Sequence, residues 1–332
     1  MSLTAERQDG GKNRILIIGG TGYLGKYMAK ASVSFGYPTS ILVRPESLAP
    51  HSSKAGILQE FTHMGINILQ GSLDDYESLA NAFKQVDIII STLAIPQHMD
   101  QLKIIRAIQE VGNIQRFLPS EFGCDVGRVK GLPPFQRVCD DKKTIRKAIE
   151  EAGIPHSFVS ANCFGAYFVD YLLQPRRKPH LEEAVIYGFH DIKFECCAAV
   201  FNLEDDVAAF TIMVANDSRT LNKSVTCRPP GNIISQSELV SLWEKKTGTT
   251  LKRVFVSESE LIKLSETLPH PDNAPVCVLH NVFVKGDQTN YEVGEEALEV
   301  SKLYPDYKYT PIEEFLEASV SAPRDIKLTS FA

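Results

Sequence analysis

No stretch of the 332-residue chain holds the roughly eighteen consecutive apolar residues of a membrane-spanning helix. The first thirteen residues are polar and glycine-rich and lack the apolar core of a secretory signal. Excess positive charge is also missing. Lys and Arg number 35 against 41 Asp and Glu, a net charge of −6. That balance speaks against a nucleic-acid binder, despite local clusters at Lys142-Lys143 and Arg176-Arg177-Lys178. The seven cysteines are odd in number and have no metal-type spacing, and adjacent Cys196 and Cys197 do not suit an ordinary disulfide. The expectation is reduced thiols in a cytoplasmic protein, with no metal site. There is no internal repeat and no low-complexity tract. What remains is an ordinary globular composition, long enough for one large core and a second lobe, between two ends that read as disordered.

The densest signal lies close to the N-terminus, in Arg14-Ile-Leu-Ile-Ile-Gly-Gly-Thr-Gly-Tyr-Leu-Gly25. Ile15–Ile18 reads as a buried parallel strand, apolar on both faces. Gly19, Gly22 and Gly25 follow as G-x-x-G-x-x-G, with Gly20 completing the tighter G-x-G-x-x-G, and a helix pattern begins at Tyr23. Glycine is needed here to turn the backbone, to let it approach a pyrophosphate, and to start a helix close against a sheet. The helix N-terminus then offers amides and a positive dipole end to phosphate. A dinucleotide site is expected, against the plainer reading of a strand–turn–helix corner.

The second strand, Thr39-Ser-Ile-Leu-Val43, ends at Arg44. An NAD-preferring fold usually carries Asp or Glu at this place for the ribose 2′-hydroxyl. Arg44 instead suits a 2′-phosphate, with Lys54 as a second cation, so NADPH is favoured. Glu46 argues mildly against this, and both cations have an ordinary surface reading.

Strand and helix patterns then alternate: a helix near Leu58–Met64, a strand Asn67–Gly71, a helix around Leu79–Phe83, a buried strand Asp87–Ala94, a helix Gln101–Val111, and a strand from Arg116 into Ser120-Glu-Phe-Gly123. An amphipathic helix over Lys142–Ala152 and a strand His156–Ser160 close the series. This rhythm predicts a Rossmann-type α/β fold, a doubly wound parallel sheet with ligands at the carboxyl ends of its strands. Residues 12–160 are expected to form the dinucleotide-binding domain. Residues 161–320 would form mainly a smaller substrate lobe, with segments returning to the first. Phe164, Tyr167, Phe168 and Tyr171 stand at helical spacing, which suits either core packing or the wall of a planar phenolic site.

One residue is conspicuously missing. Short-chain dehydrogenase-type reductases usually carry Tyr-x-x-x-Lys beside the nicotinamide, and here Val138-Cys-Asp-Asp-Lys142 has valine for tyrosine. Lys142 would then do acid–base work alone, aided by desolvation or Lys143 and opposed by Asp140 and Asp141. The plainer reading is a solvated face of Lys142, Lys143, Arg146 and Lys147. His280 is a second acid–base candidate, with a satisfied core histidine as the plainer reading.

Taken together, the glycine run, Arg44-Pro45, Arg116–Gly123, Lys142, Ser160-Ala-Asn-Cys-Phe164, Trp243-Glu-Lys-Lys-Thr-Gly248 and Phe283-Val-Lys-Gly-Asp287 resemble the isoflavone reductase-like (PIP-type) plant reductases. These are atypical, NmrA-like short-chain dehydrogenases/reductases. The resemblance runs from about Arg14 to Leu316. Leu132-Pro-Pro-Phe135 and Ala166–Pro175 are closest to the phenylpropene-synthase branch, the eugenol and isoeugenol synthases. The resemblance implies NADPH as cofactor and Lys142 as the acid–base residue. It places cofactor contacts at Gly19, Thr21, Gly22, Tyr23, Leu24, Gly25, Arg44, Lys54, Thr92, Leu93, Ser120, Glu121, Phe122, Lys142, Asn162 and Phe164. Phe164, Tyr167, Tyr171 and His280 would meet the substrate, and the protein would be a monomer or homodimer. The implied reaction reduces an ester of the coniferyl acetate type through a quinone methide. Benzylic ether, pinoresinol–lariciresinol and isoflavone reduction are alternatives within the family, and a non-catalytic NADP(H) sensor is one outside enzymology. Two departures bear on substrate choice: Tyr187-Gly-Phe-His190 replaces Tyr-Gly-x-Gly, and the sequence is about five residues longer around Glu195–Val200.

Overall fold

Ile15–Ile18 forms β1 with all four side chains buried, as an apolar run covered on both faces requires. It leads into α1 (Tyr23–Ser34), whose buried Leu24, Met28 and Ser32 recur every fourth residue on the face turned to the sheet. The computed structural model describes residues 11–49, 51–174, 181–189, 198–293, 298–322 and 324. The alternation continues with β2 (Thr39–Val43), α2 (Ala55–His63), β3 (Asn67–Gln70), α3 (Tyr76–Phe83), β4 (Ile88–Ser91), α4 (Gln101–Val111) and β5 (Arg116–Leu118). Local signals set the helix ends. Asp75 caps α3 by accepting from Ser78 N at 3.2 Å, and α4 stops at Gly112, which is left-handed at φ +70°.

The five strands form one parallel sheet in the order β3-β2-β1-β4-β5. Ile17 pairs with Ile41 on one side and Ile90 on the other. The order reverses between β1 and β4, which makes their carboxyl ends the ligand-binding edge of such a fold. A parallel bridge from Phe117 to His156 extends the sheet beyond β5.

The protein divides into two compact units. The first comprises residues 1–120, 144–159 and 208–224, and the second residues 121–143, 160–207 and 225–332. Both units are discontinuous in sequence, 121–143 belonging to the second and 208–224 to the first. The core of the first unit gathers Leu16, Ile18, Phe83, Ile89, Ile104, Phe117, Ile149 and Phe158.

The second unit draws on the helix α5 (Pro133–Glu151) for residues up to Lys143. This helix starts nine residues earlier than its amphipathic pattern suggests. Pro133 and Pro134 read as a break, yet proline is tolerated in a first turn whose N–H groups have no helical partner. The strand expected over Asp87–Ala94 ends at Ser91, because Ile95-Pro96 open a short 3₁₀ turn. In the second unit Ala199–Asn202 runs parallel to Cys163–Phe164 and antiparallel to Ile233–Ile234. Glu183–Phe189 pairs in parallel with Lys252–Ser257. Its core includes Cys139, Cys163, Phe201, Trp243, Phe283 and Phe315. Among the described residues no helix is long and apolar enough to cross a membrane. Pro175–Pro179, His190, Lys193, Glu195 and the Cys196-Cys197 pair lie outside the described residues, as do 1–10 and 325–332.

Candidate active site

The glycine turn explains itself in distances. Gly19 sits at φ +83°, and a Cβ there would stand 2.8 Å from Thr92 Oγ1 and 2.9 Å from Thr92 O. A Cβ on Gly25 would come within 2.1 Å of Gly19 O, so the first turn of α1 lies directly against the loop. Gly22 is the N-cap of α1, in extended conformation, and the helix start has no side-chain hydrogen bond upon it. The Gly22 amide donates to Gly19 O at 2.8 Å, closing the turn. The result is a backbone cradle at a helix N-terminus, which a methyl group would fill.

Side chains pin the cradle. Lys54 Nζ donates to Thr21 O at 3.2 Å, which brings a cation onto the loop. Thr92 donates to Ile18 O through both its amide (2.8 Å) and its hydroxyl (2.9 Å), locking the ends of β1 and β4 together. Ser120 Oγ donates to Leu93 O at 2.7 Å, joining the segment after β4 to the segment after β5. Arg44 precedes a short 3₁₀ turn, with its side chain 69% exposed and 3.3 Å from Glu46. So the acidic neighbour does meet Arg44, but a pair this exposed is worth little.

The second unit holds Lys142 on α5. It is half-buried, and its Nζ donates to Glu121 O at 2.5 Å. Two non-glycine residues with left-handed backbone accompany it, Phe122 at φ +41° and Asn162 at φ +61°. Each such residue costs on the order of 1–3 kcal/mol and persists only where its surroundings hold it, typically around functional groups. Here they are joined by Asn162 N donating to Gly123 O at 3.1 Å, while Asn162 Nδ2 donates to Cys227 O at 2.8 Å. A Cβ on Gly123 would stand 3.8 Å from Lys142 Nζ. Asp140, expected to oppose a neutral lysine, accepts from Gln136 at 2.7 Å and lies 3.8 Å from Lys143 Nζ.

The other sequence candidates divide. Phe164 is half-buried at the start of the helix Gly165–Leu173. Tyr167 is buried, its ring 6.1 Å from Phe168, which in turn meets Phe201 edge-on at 6.1 Å. Phe168 and Tyr171 pack against the core of the second unit. His280 is 2% exposed, with Nε2 3.0 Å from Glu258 Oε1 and Nδ1 buried without a hydrogen-bond partner among the described residues. The described cysteines, 124, 139, 163, 227 and 277, are free and buried. Burial pushes the Cys124 thiol up to about 11 and Cys139 up to about 12, so both stay protonated.

Sequence reading missed Gln101. It is 1% exposed and accepts from Ser120 N at 2.7 Å, while its Nε2 donates to His98 O at 3.2 Å. At the first position of an amphipathic helix, nothing in the pattern marks a glutamine as a brace.

A parallel sheet with a phosphate cradle of bare backbone at its switch point, and cations beside it, fits a nicotinamide dinucleotide. It defines a dinucleotide-binding protein of the Rossmann type. Comparison with known proteins sharpens the class. The model of the NmrA-like family matches residues 11–316. The chain is 51% identical to isoeugenol synthase 1 of Petunia hybrida over 97% of this chain and 98% of that protein. It is 48% identical to the phenylcoumaran benzylic ether reductase IRL1 of Ginkgo biloba over 93% and 100% respectively. Among solved structures it resembles AtPrR2 bound to NADP+ and (+)-pinoresinol, with TM-score 0.85 and 38% identity over 93% of this protein and 99% of that one. The protein belongs to the NmrA-like family, within its isoflavone reductase-like members, and is an NADPH-dependent oxidoreductase.

Proposed function

We propose that this enzyme reduces a phenylpropenyl ester of the coniferyl acetate type to eugenol or isoeugenol, with Lys142 as the general base. The observation that carries the reading is a lysine without a tyrosine. Lys142 Nζ rests on Glu121 O at 2.5 Å, and the position one turn earlier is Val138. A ketone reductase would lack its proton donor there, whereas a phenolic ester needs only a base.

In this reaction Lys142 takes the phenolic proton, and the Glu121 carbonyl orients the amine that receives it. The phenolate electrons push through the ring, the allylic C–O bond of the ester breaks, and acetate leaves to give a quinone methide. When bound, NADPH supplies the hydride that restores the aromatic ring. Lys142 then returns its proton to the phenolate oxygen, so the amine ends as it began. Hydride at the ring-proximal carbon gives the allyl product, and at the terminal carbon the propenyl one. Gly19, Gly22 and Gly25 leave backbone room for the pyrophosphate, and Arg44 and Lys54 take the 2′-phosphate side. The 51% identity to an isoeugenol synthase supports this substrate class.

A benzylic ether reductase reading is favoured by the 48% identity to the Ginkgo protein, and it uses the same base and cofactor. Incubation of purified enzyme with NADPH and coniferyl acetate, with products identified by gas chromatography–mass spectrometry, separates the two. Eugenol or isoeugenol supports the ester reading. Turnover of a phenylcoumaran without either product supports the ether reading, and NADPH binding without any turnover supports a sensor.

A further inference from the structure

The strained cradle around Lys142 is tied down by a residue that touches neither Lys142 nor any atom expected to react. Asn202 is fully buried, on the strand Ala199–Asn202 of the second unit. Its Nδ2 donates to two backbone carbonyls at once, Ala161 O at 2.9 Å and Cys227 O at 2.8 Å. Cys227 O is also the acceptor for Asn162 Nδ2. One amide group therefore grips the residue before Asn162 and the carbonyl from which Asn162 hangs.

The amide is itself oriented. Asn232, also fully buried, donates from Nδ2 to Asn202 Oδ1 at 3.3 Å, which points the Asn202 amino group at the two carbonyls. From Asn162 the linkage passes through its backbone amide to Gly123 O. Gly123 adjoins Phe122, whose left-handed backbone turns Glu121 O onto Lys142 Nζ. The backbone of Asn202 also pairs in register with Phe164.

We infer that Asn202 is the positioning residue of the Lys142 site, holding the Asn162 turn and through it the carbonyl that orients the lysine amine. A polar group this buried, with three hydrogen bonds inside one loop cluster, offsets its desolvation only while the loops it joins keep one geometry. Asparagine is required chemically. Leucine, branched like asparagine but larger, leaves Ala161 O without this donor and Cys227 O with Asn162 Nδ2 alone, and aspartate would set a carboxylate against two carbonyl oxygens.

The lysine role rests on the proposed function, but the first test is free of substrate. Titration of the Lys142 amine is followed by NMR in lysine-labelled protein, the resonance assigned by its loss in Lys142→Arg. Asn202→Leu releases the Glu121 carbonyl from the amine, so the midpoint falls by about half a pH unit or more, because the ammonium loses an acceptor. An unmoved midpoint in folded Asn202→Leu overturns the inference. Turnover of coniferyl acetate gives the second reading, with kcat expected to fall about tenfold or more as the base loses its orientation. A drop in melting temperature with unchanged midpoint and unchanged kcat would make Asn202 merely structural, which also overturns it. Should Asn202→Leu fail to fold, Asn232→Ala decides by the same two readouts, each moving in the same direction by a smaller step. Wild-type protein without turnover would count against the substrate class alone, since the titration is read independently.

Discussion

Replacing Gly25 with alanine strikes the closest approach in the dinucleotide half of the molecule. The new Cβ would lie 2.1 Å from Gly19 O and 2.7 Å from both Gly19 C and Gly20 Cα. All three are backbone atoms, so no rotamer change relieves the clash. Either α1 or the turn must move by about an ångström, an overpacking cost of about 1–3 kcal/mol. At about 2–4 °C per kcal/mol that lowers the melting temperature by about 2–12 °C. The same movement pulls the helix N-terminus off the phosphates, and NADPH affinity falls by about tenfold or more. Gly56→Ala is the control. Gly56 lies in α2 with nothing within 4 Å of its added Cβ, and the substitution adds about 0.4–1 kcal/mol of stability. Thermal melts without cofactor and calorimetric titration with NADPH measure both quantities. Gly25→Ala protein that melts and binds NADPH like the wild type would refute the reasoning.

Three further outcomes follow from the geometry. Arg44→Glu adds a carboxylate beside Glu46 and removes the cation from the end of β2; NADPH affinity should fall by about tenfold while NADH affinity changes little, and equal losses for both cofactors would remove Arg44 from 2′-phosphate recognition. Burial pushes the Asp287 carboxyl up to about 6, so the folded protein holds that proton more tightly than the unfolded one does. Its contribution to stability is full below the unfolded value of about 4 and is lost as pH rises through about 6. Asp287→Asn should therefore raise the melting temperature at pH 8, by a small amount for a half-exposed group, and leave it unchanged below about pH 4; melts from about pH 3 to pH 9 decide it. Finally, Cys124, Cys139, Cys163 and Cys227, all buried with thiols pushed up by burial, should resist iodoacetamide in native protein at pH 7.5 and react once it is unfolded, as read by peptide mass mapping.

The parts of the molecule legible in the sequence are those where one local pattern has one physical cause. Ile15–Ile18 followed by glycines at 19, 22 and 25 can hardly encode anything but a buried strand turning into a close-packed helix, and the distances at Gly19 and Gly25 bear that reason out. Lys142 is different. Among Lys143, Arg146 and Lys147 its own sequence looks like a solvated face, and only the resemblance singles it out. The structure adds what neither pattern nor resemblance carried, a carbonyl acceptor at Glu121 and strained turns at Phe122 and Asn162. The start of α5 was hidden by Pro133-Pro134, which signal a break in isolation but are harmless in a first turn. Gln101 and Asn202 were invisible for a common reason. Each works by bonding to backbone atoms far away in sequence, and such partners leave no periodicity and demand no particular neighbour. The aromatic series Phe164–Tyr171 was ambiguous between core and ligand wall, and burial of Tyr167 with packing of Phe168 and Tyr171 on the second unit's core is compatible with both.

The central claim is that Lys142 drives the chemistry as a base and is not needed to hold the cofactor in place. The most direct test compares wild type with Lys142→Ala, measuring NADPH dissociation constants by calorimetry and conversion of coniferyl acetate by gas chromatography–mass spectrometry on the same preparations. The account predicts NADPH affinity within about threefold of wild type and turnover reduced by about a hundredfold or more. Turnover that survives the substitution, with cofactor binding intact, would contradict it.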